Sequence, residues 1–339
     1  MNHPDEKKEL KNVSVVMCTY NGELYLKEQL DSILSQTYPL FEIIIRDDCS
    51  TDNTWAILQD YQSKNPTLLK CSQNNHNVGY WMNFKLGMLQ AKGDYIAFSD
   101  QDDIWMSDKI EELLFTIGEK MLAVSNSKIL NELTVEDRTL FQEHNLPNMT
   151  IEKLIWDNHI FGHSCMINVA LLDYINRIKI TTAHDYLIAL VCFSLNSVAM
   201  TDKELQVWRR HSQSLTGSSQ FAIKNVKKKR IKGYRKTIYA IFCLILGRKS
   251  EVIHNGFLRI NLILSQLKEE KSVTQNIDDL ILITSLMKNQ SLLSYIRASF
   301  ICWKLKETMF DYKSKDLRND LLTVTFVFRW WYDHRFDMA

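Results

Sequence analysis

Three carboxylates, Asp100, Asp102 and Asp103, fall within four positions of the run Phe98-Ser99-Asp100-Gln101-Asp102-Asp103-Ile104-Trp105, directly behind an apolar segment, Tyr95 to Phe98, that reads as a buried strand. Like charges this close raise one another's pKa and cost stability unless a cation or an open loop relieves them. Oxygen-only ligands select a hard divalent ion, Mg²⁺ or Mn²⁺, and such an ion held by one or two carboxylates completes its shell with water and substrate phosphates. The chemistry implied is metal-assisted handling of a phosphorylated donor. An isolated Asp-x-Asp reads equally well as an exposed acidic turn, so the elements around it must decide.

Those elements alternate. Val13 to Cys18 is a β-branched run, Thr19-Tyr20-Asn21-Gly22 supplies turn chemistry, and Leu26, Leu30, Ile33 and Leu34 follow at helical spacing. The unit repeats with a strand over 41–45, a polar loop at 47–52 and a helix over 55–61, then a strand near 68–71, a loop at 74–79 and a helix over 81–90. Alternation of this kind predicts an α/β fold, its parallel sheet covered on both faces, with ligands at the carboxyl ends of the strands. Tyr20-Asn21-Gly22, the Asp47-Asp48 pair, Asn77 with Gly79, and Asp100 to Asp103 are therefore expected to border one cleft.

Beyond Asp108 the pattern predicts a helix to about 120, a strand at 122–125, an irregular polar stretch over 134–149, a helix at 151–156, an extended segment at 164–168, a helix from His184 to Phe193 and a strand at 205–208 ending in Arg209-Arg210-His211. Residues 221–250 carry ten Lys or Arg and no acid, and helix-like sequence continues to the end. This basic segment suits either contact with an anionic lipid surface or a solvated helix face. The terminal Phe326 to Tyr332 run reads as an interfacial anchor or a packed end.

At 339 residues the chain can bury a substantial core, and a net charge of +1 with 24% charged residues offers no global field for nucleic acid. Seven scattered cysteines without a C-x-x-C pair argue for reduced thiols in a cytoplasmic protein, not for a disulfide framework or zinc site. The polar start carries no signal-peptide pattern, and the apolar runs fall short of the ~20 residues that span a bilayer. A cytoplasmic location is expected, with peripheral contact at the inner membrane face through the basic stretch.

Several ordered segments together resemble family 2 glycosyltransferases of the GT-A fold: Val13 to Gly22, Ser32 to Tyr38, Arg46-Asp47-Asp48-Cys49-Ser50-Thr51-Asp52 and Gly93-Asp94-Tyr95-Ile96. The resemblance covers roughly residues 12–215. With Ser99 to Trp105, Ala183-His184-Asp185 and Trp208 to Ser212, it is most similar to the bacterial rhamnosyltransferases that build cell-surface polysaccharides. It implies a Rossmann-like, mostly parallel sheet flanked by helices in a catalytic domain over 1–220, with a nucleotide-binding half at about 12–108 and an acceptor half at about 109–220, and a basic helical region over 221–339.

The resemblance further implies a nucleotide-sugar donor, a glycan or lipid-linked glycan acceptor, and Mg²⁺ or Mn²⁺. Tyr20 would stack on the nucleobase beside the backbone of Cys18 and Thr19, Asp48 would bond the base edge, and Asn21, Asn77, Gly79, Asn83 and Gln101 would complete the donor site. Asp100 would sit near the ribose and join Asp102 at the metal, and Arg209 with Arg210 would approach the diphosphate. Asp185 would be the catalytic base, and Trp105, His163, His184 and His211 would face the acceptor. Without the resemblance, Asp185 reads as a helix N-cap.

Two features depart from the pattern. Trp81-Met82 stand where many members carry an arginine before the residue matching Asn83, and the Gln-x-x-Arg-Trp element and transmembrane helices of processive synthases are absent, which implies transfer of a single sugar. The resemblance to rhamnosyltransferases implies that this sugar is L-rhamnose from dTDP-L-rhamnose, and a single base implies inversion. Alternatives are a UDP-hexose or UDP-N-acetylhexosamine donor, or a binding module without catalysis. A nucleotidylyltransferase would need a glycine-rich phosphate loop with a following lysine, and Asn21-Gly22-Glu23 is a poor substitute.

Overall fold

A computed structural model describes residues 10–131, 134–178, 180, 182–211, 250–270 and 273–310, with 237, 238, 240, 241, 244, 245, 323 and 325–330. Its first half alternates as the spacing predicts: β1 (Val13–Thr19), α1 (Leu26–Leu34), β2 (Glu42–Asp47), α2 (Thr54–Lys64), β3 (Leu69–Gln73), α3 (Tyr80–Gln90) and β4 (Tyr95–Ser99). There follow β5 (Ile104–Trp105), α4 (Lys109–Ile117), β6 (Leu122–Asn131), β7 (Thr134–Thr139), α5 (Leu140–His144), α6 (Ile151–Leu154), β8 (Cys165–Asn168), α7 (Leu171–Arg177), α8 (His184–Ser194) and β9 (Val198–Arg210).

The nine strands form one sheet in the order β3-β2-β1-β4-β8-β6-β9-β5, with β7 on β6. β3, β2, β1 and β4 run parallel. Beyond β4 the sheet becomes mixed, because β8 is antiparallel to both β4 and β6. In β1 the period of two divides the core: Val13, Val15 and Met17 pack with Leu26, Leu30 and Ile33 of α1, while Val16 joins Ile44, Phe98 and the α3 residues Phe84 and Met88 on the other face. Gly87 lets α3 approach, since a Cβ there would lie 2.5 Å from Val16 Cγ1.

The expected irregular stretch at 134–149 is instead β7, α5 and a 3₁₀ turn at Leu146–Asn148. A capping box starts α5: Gln142 N–H donates to Thr139 Oγ1, and the Gln142 side chain accepts from Thr139 N–H. Polar composition hid both elements, because β7 is a largely exposed hairpin partner of β6. Strand β9 is 13 residues long, far beyond its expected four. It runs parallel to β6 and pairs antiparallel with β5, Ile104 opposite Val207 and Trp105 opposite Gln206. That pairing carries Arg209 to His211 back to the acidic turn.

The helices α9 (Glu251–Leu267), α10 (Ile277–Asn289), α11 (Leu292–Lys304) and α12 (Lys306–Phe310) share the core of the sheet domain: Ile253, Phe257 and Leu264 bury with Ile188 and Val191 of α8. Phe326 and Trp330 meet Trp156 edge to face at 5.1 and 5.4 Å, and Trp330 Nε1 donates to the Trp156 carbonyl, so these aromatics are a packed end. The densest basic run, Lys227 to Arg230, lies outside the described residues, as do Trp331 and Tyr332. No described helix is long and apolar enough to cross a membrane.

Candidate active site

The loop after β1 is locked to the loop after β2. Asn21, in the left-handed region at φ 49°, donates its N–H to Ser50 Oγ and accepts from Thr51 N–H, while Gly22 N–H reaches Thr54 Oγ1. Thr19, 2% exposed, donates its hydroxyl to Asp47. These bonds leave Tyr20 on the rim with 47% exposure, its main chain gripped from the other side by Gln101, whose amide accepts from Tyr20 N–H and donates to Tyr20 C=O. Asp48 is buried and takes Val78 N–H and Asn74 Nδ2 on one oxygen and Gly79 N–H on the other. Gly79, at φ +85°, and exposed Asn77 close that loop, with Asn77 Oδ1 also accepting from Gly79 N–H.

The acidic turn follows β4 and meets the end of β9. Arg209 donates its main-chain N–H to Asp103 Oδ1 and its Nε–H to the Asp102 carbonyl, and it pairs with Glu28 at 2.6 Å. Its guanidinium lies 4.6 Å from the ring centre of Tyr25, on whose ring His211 also packs at 4.8 Å. His211 Nε2 faces Asp102 Oδ2 at 2.8 Å, both side chains near the surface at 12% and 15% exposure. Deeper in, His163 Nδ1 stands 3.3 Å from Asp100 Oδ2 and 3.9 Å from Asp103 Oδ2.

Asp100, Asp103 and His163 form the one group of metal-ligand type found among the described residues, their ligand atoms within 4.8 Å of one another. Burial raises the pKa of Asp103, an effect that His163 opposes and Asp102 and Asp100 reinforce. Burial lowers that of Lys109, whose ammonium donates to the His163 carbonyl at 2.7 Å and to Gln206 and stands 4.1 Å over Trp105. Desolvation opposes the charged form of Asp100, yet the hydrogen bond from His163 and the electrostatic influence of His163, His184 and Lys109 hold its pKa below the usual carboxylate value.

Asp185 is the second residue of α8, where the helix dipole favours a carboxylate, and its Oδ1 accepts from Tyr186 N–H. Burial outweighs that help and raises its pKa, with His184 lowering and Asp100 raising it. Asp100 is also felt at Cys18, where burial lifts the thiol further, and Asp185 is felt at Tyr80. Asp100 thus lies in electrostatic reach of both Cys18 and Asp185, Asp48 of Cys18, and Asp185 of Tyr80.

Several expected site residues are buried or engaged in bonds within the protein. Trp105 is 3% exposed inside the core, and His184 stacks on Phe84 at 4.1 Å, both its ring nitrogens lacking hydrogen-bond partners among the described residues. His163, 2% exposed, is equally withdrawn. Asn83 is fully buried, its amide spent on the Arg46 carbonyl and its oxygen on Arg46 Nε. Thr19 and Asp48 hold loops together, and Gln101 secures Tyr20. Arg210 turns away from Arg209, because successive strand residues point to opposite faces; it pairs in a fork with Glu143 and stacks 4.0 Å over Trp208.

Arg210→Ala is therefore expected to cost stability, about 3 kcal/mol as a buried cation pair is broken, with donor affinity unchanged; chemical denaturation beside nucleotide titration checks this. Tyr25, Glu28 and Lys109 carry no signal in the sequence that points to the site. A tyrosine and a glutamate opening a helix signal nothing until β9 arrives beside them.

Residues 14–175 match the family model of glycosyl transferase family 2, and the chain carries a domain of that family in the GT-A fold. It is 38% identical over 113 residues, 33% of this chain and 44% of the relative, to the putative teichuronic acid biosynthesis glycosyltransferase TuaG of Bacillus subtilis. It is 41% identical over 102 residues, 29% of this chain and 35% of the relative, to the dTDP-rhamnosyl transferase RfbG of Shigella flexneri. Against the Escherichia coli UDP-Glc:alpha-D-GlcNAc-diphosphoundecaprenol beta-1,3-glucosyltransferase WfaP it is 40% identical over 98 residues, 29% of this chain and 38% of that one. The matches span less than half the length of these relatives. Among solved structures, S. aureus TarS 1-349 in complex with UDP-GlcNAc shares the fold at a TM-score of 0.51 and 20% identity, over 95% of this chain and 91% of that one.

Proposed function

We propose that the protein transfers a single sugar from a nucleoside diphosphate donor to a hydroxyl of a growing cell-surface glycan, with inversion at the anomeric carbon. The observation that carries this reading is the meeting of Asp100, Asp102, Arg209 and His211 on one rim, with Asp185 an electrostatic neighbour of Asp100. Exposed Tyr20 offers its ring to the nucleobase. Asp100, 43% exposed, faces the ribose.

The residues that fit a divalent ion best are Asp102 and His211, a carboxylate oxygen opposite an imidazole nitrogen near the surface. The buried Asp100, Asp103 and His163 group, its ligand atoms within 4.8 Å of one another, is the alternative. When bound, the ion supplies positive charge beside the leaving diphosphate. Arg209 adds a guanidinium there, held against the Asp102 carbonyl.

In the reaction Asp185 takes the proton of the acceptor hydroxyl as its oxygen bonds the anomeric carbon, and the bond from that carbon to the diphosphate oxygen breaks, releasing nucleoside diphosphate. One base on the face opposite the leaving group suffices for this single displacement.

We take dTDP-L-rhamnose as the donor, supported by similarity to RfbG, and the acceptor as a glycan or lipid-linked glycan. The comparable similarity to WfaP favours UDP-glucose as the second reading. Binding of dTDP-L-rhamnose, UDP-glucose, UDP-galactose and UDP-N-acetylglucosamine, measured with Mg²⁺ or Mn²⁺ present, separates these. Tightest binding of the first is expected, and indifference to all four would favour a module without catalysis.

A further inference from the structure

We propose that His163 is a positioning residue: its Nδ1–H aims the Asp100 carboxylate at the donor, and Asp103 is the alternative partner of the same N–H. The role deepens the reading of Asp100 as a donor contact and rests on it. His163 is 2% exposed and cannot reach a substrate, yet its Nδ1 lies 3.3 Å from Asp100 Oδ2, and Asp100 is 43% exposed. Asp100 is therefore the link between a buried ring and the rim.

The proton belongs on Nδ1. Nε2 is buried without a hydrogen-bond partner among the described residues, whereas Nδ1 faces two carboxylates. A proton on Nε2 would leave a buried donor unsatisfied and set a lone pair against Asp100.

The ring is held for this task from three sides. Phe161 lies parallel to it at 5.7 Å, Trp208 packs at 5.1 Å, and the buried ammonium of Lys109 fixes the His163 carbonyl at 2.7 Å. Lys109 in turn is anchored by Gln206, which donates to Ser127 Oγ. Such bracing is what keeps a polar contact near its productive geometry.

Asp103 gives the ring a second choice. Its Oδ1 accepts Arg209 N–H, and its Oδ2, buried and without a hydrogen-bond partner among the described residues, lies 3.9 Å from Nδ1. If a ligand draws Asp100 outward, the N–H can turn to Asp103 without losing an acceptor.

The test uses two substitutions that differ in where they place an N–H. In His163→Asn the amide nitrogen can stand where Nδ1 stood, whereas in His163→Gln it stands near Nε2. With the full chain, calorimetric titration of dTDP and UDP and steady-state kinetics are expected to show donor affinity within about 3-fold of wild type for Asn and about 10-fold or more weaker for Gln, the size of a hydrogen bond to a charged group. Maximal turnover and acceptor KM should move far less. The ¹⁵N spectrum of the wild-type imidazole should show the proton on Nδ1.

Equal losses in the two variants that retain native melting temperatures, a change confined to acceptor KM, or an Nε2–H tautomer would overturn the role of His163. A wild-type protein that binds neither nucleotide would instead overturn the donor reading, and the tautomer would still report on the His163–Asp100 bond.

Discussion

Asp185→Asn is expected to lower turnover by roughly 10²–10⁴-fold, the usual contribution of a positioned general base, while donor affinity stays within a few-fold of wild type. The amide cannot take the acceptor proton, but it keeps the size of the side chain at the head of α8 and can still accept from Tyr186 N–H. The measurements are single-turnover sugar transfer beside nucleotide titration. Comparable losses in both would move Asp185 from the chemical step to the donor site, and unchanged turnover would remove it from the mechanism.

The pH dependence follows from the same side chain. Burial raises the pKa of Asp185, only partly offset by His184, and a base works in its deprotonated form. Turnover is therefore full above the raised pKa and falls as pH drops through it, at a higher pH than an ordinary carboxylate would give. In Asp185→Asn this acid limb should vanish from the residual rate.

The second large effect is expected at the rim. Asp102→Asn removes the carboxylate that faces His211 Nε2 at 2.8 Å, and with it the anionic ligand of the proposed ion. Metal-stimulated donor binding should disappear, and transfer should fall by roughly 10²–10³-fold, the scale set by deleting one preorganised electrostatic contact to a developing charge. His211→Ala should give the same pattern in weaker form, about 10–100-fold in metal affinity. Titration of Mn²⁺ followed by its paramagnetic signal checks both. If Asp102→Asn and His211→Ala bind Mn²⁺ as wild type does while Asp103→Asn does not, the ion belongs to the buried group with Asp100 and His163.

Much of the donor half was legible because its signals are local. Strand runs such as Val13 to Cys18 are mostly apolar since both faces of a parallel strand are buried, and Leu26, Leu30 and Ile33 mark one face of α1. Turn residues between these elements fall at the carboxyl ends of the strands by topology alone, which is why Tyr20, Asp48, Gly79 and the acidic run could be assigned to one rim from their order.

Within that rim, composition could not separate a side chain that meets substrate from one that holds a loop. Asp48 and Asn83 look like ligands in the chain, and in the fold they are buried and bonded, one to 78–79 and the other to Arg46. Tyr20 and Asp48 are both loop residues; only packing leaves the first exposed and closes the second.

By itself the sequence determined the alternation of strand and helix, the rim on which polar loops collect and the family to which that order belongs, because each is written in spacings of a few residues. The tertiary structure alone decided that β9 pairs with β5, that Arg209 and His211 therefore return to Asp102 while Arg210 turns to Glu143, and that His163 sits beneath Asp100. These contacts join residues from more than sixty to more than a hundred positions apart. They arise from strand register and burial across the whole sheet, to which no short window of sequence is sensitive.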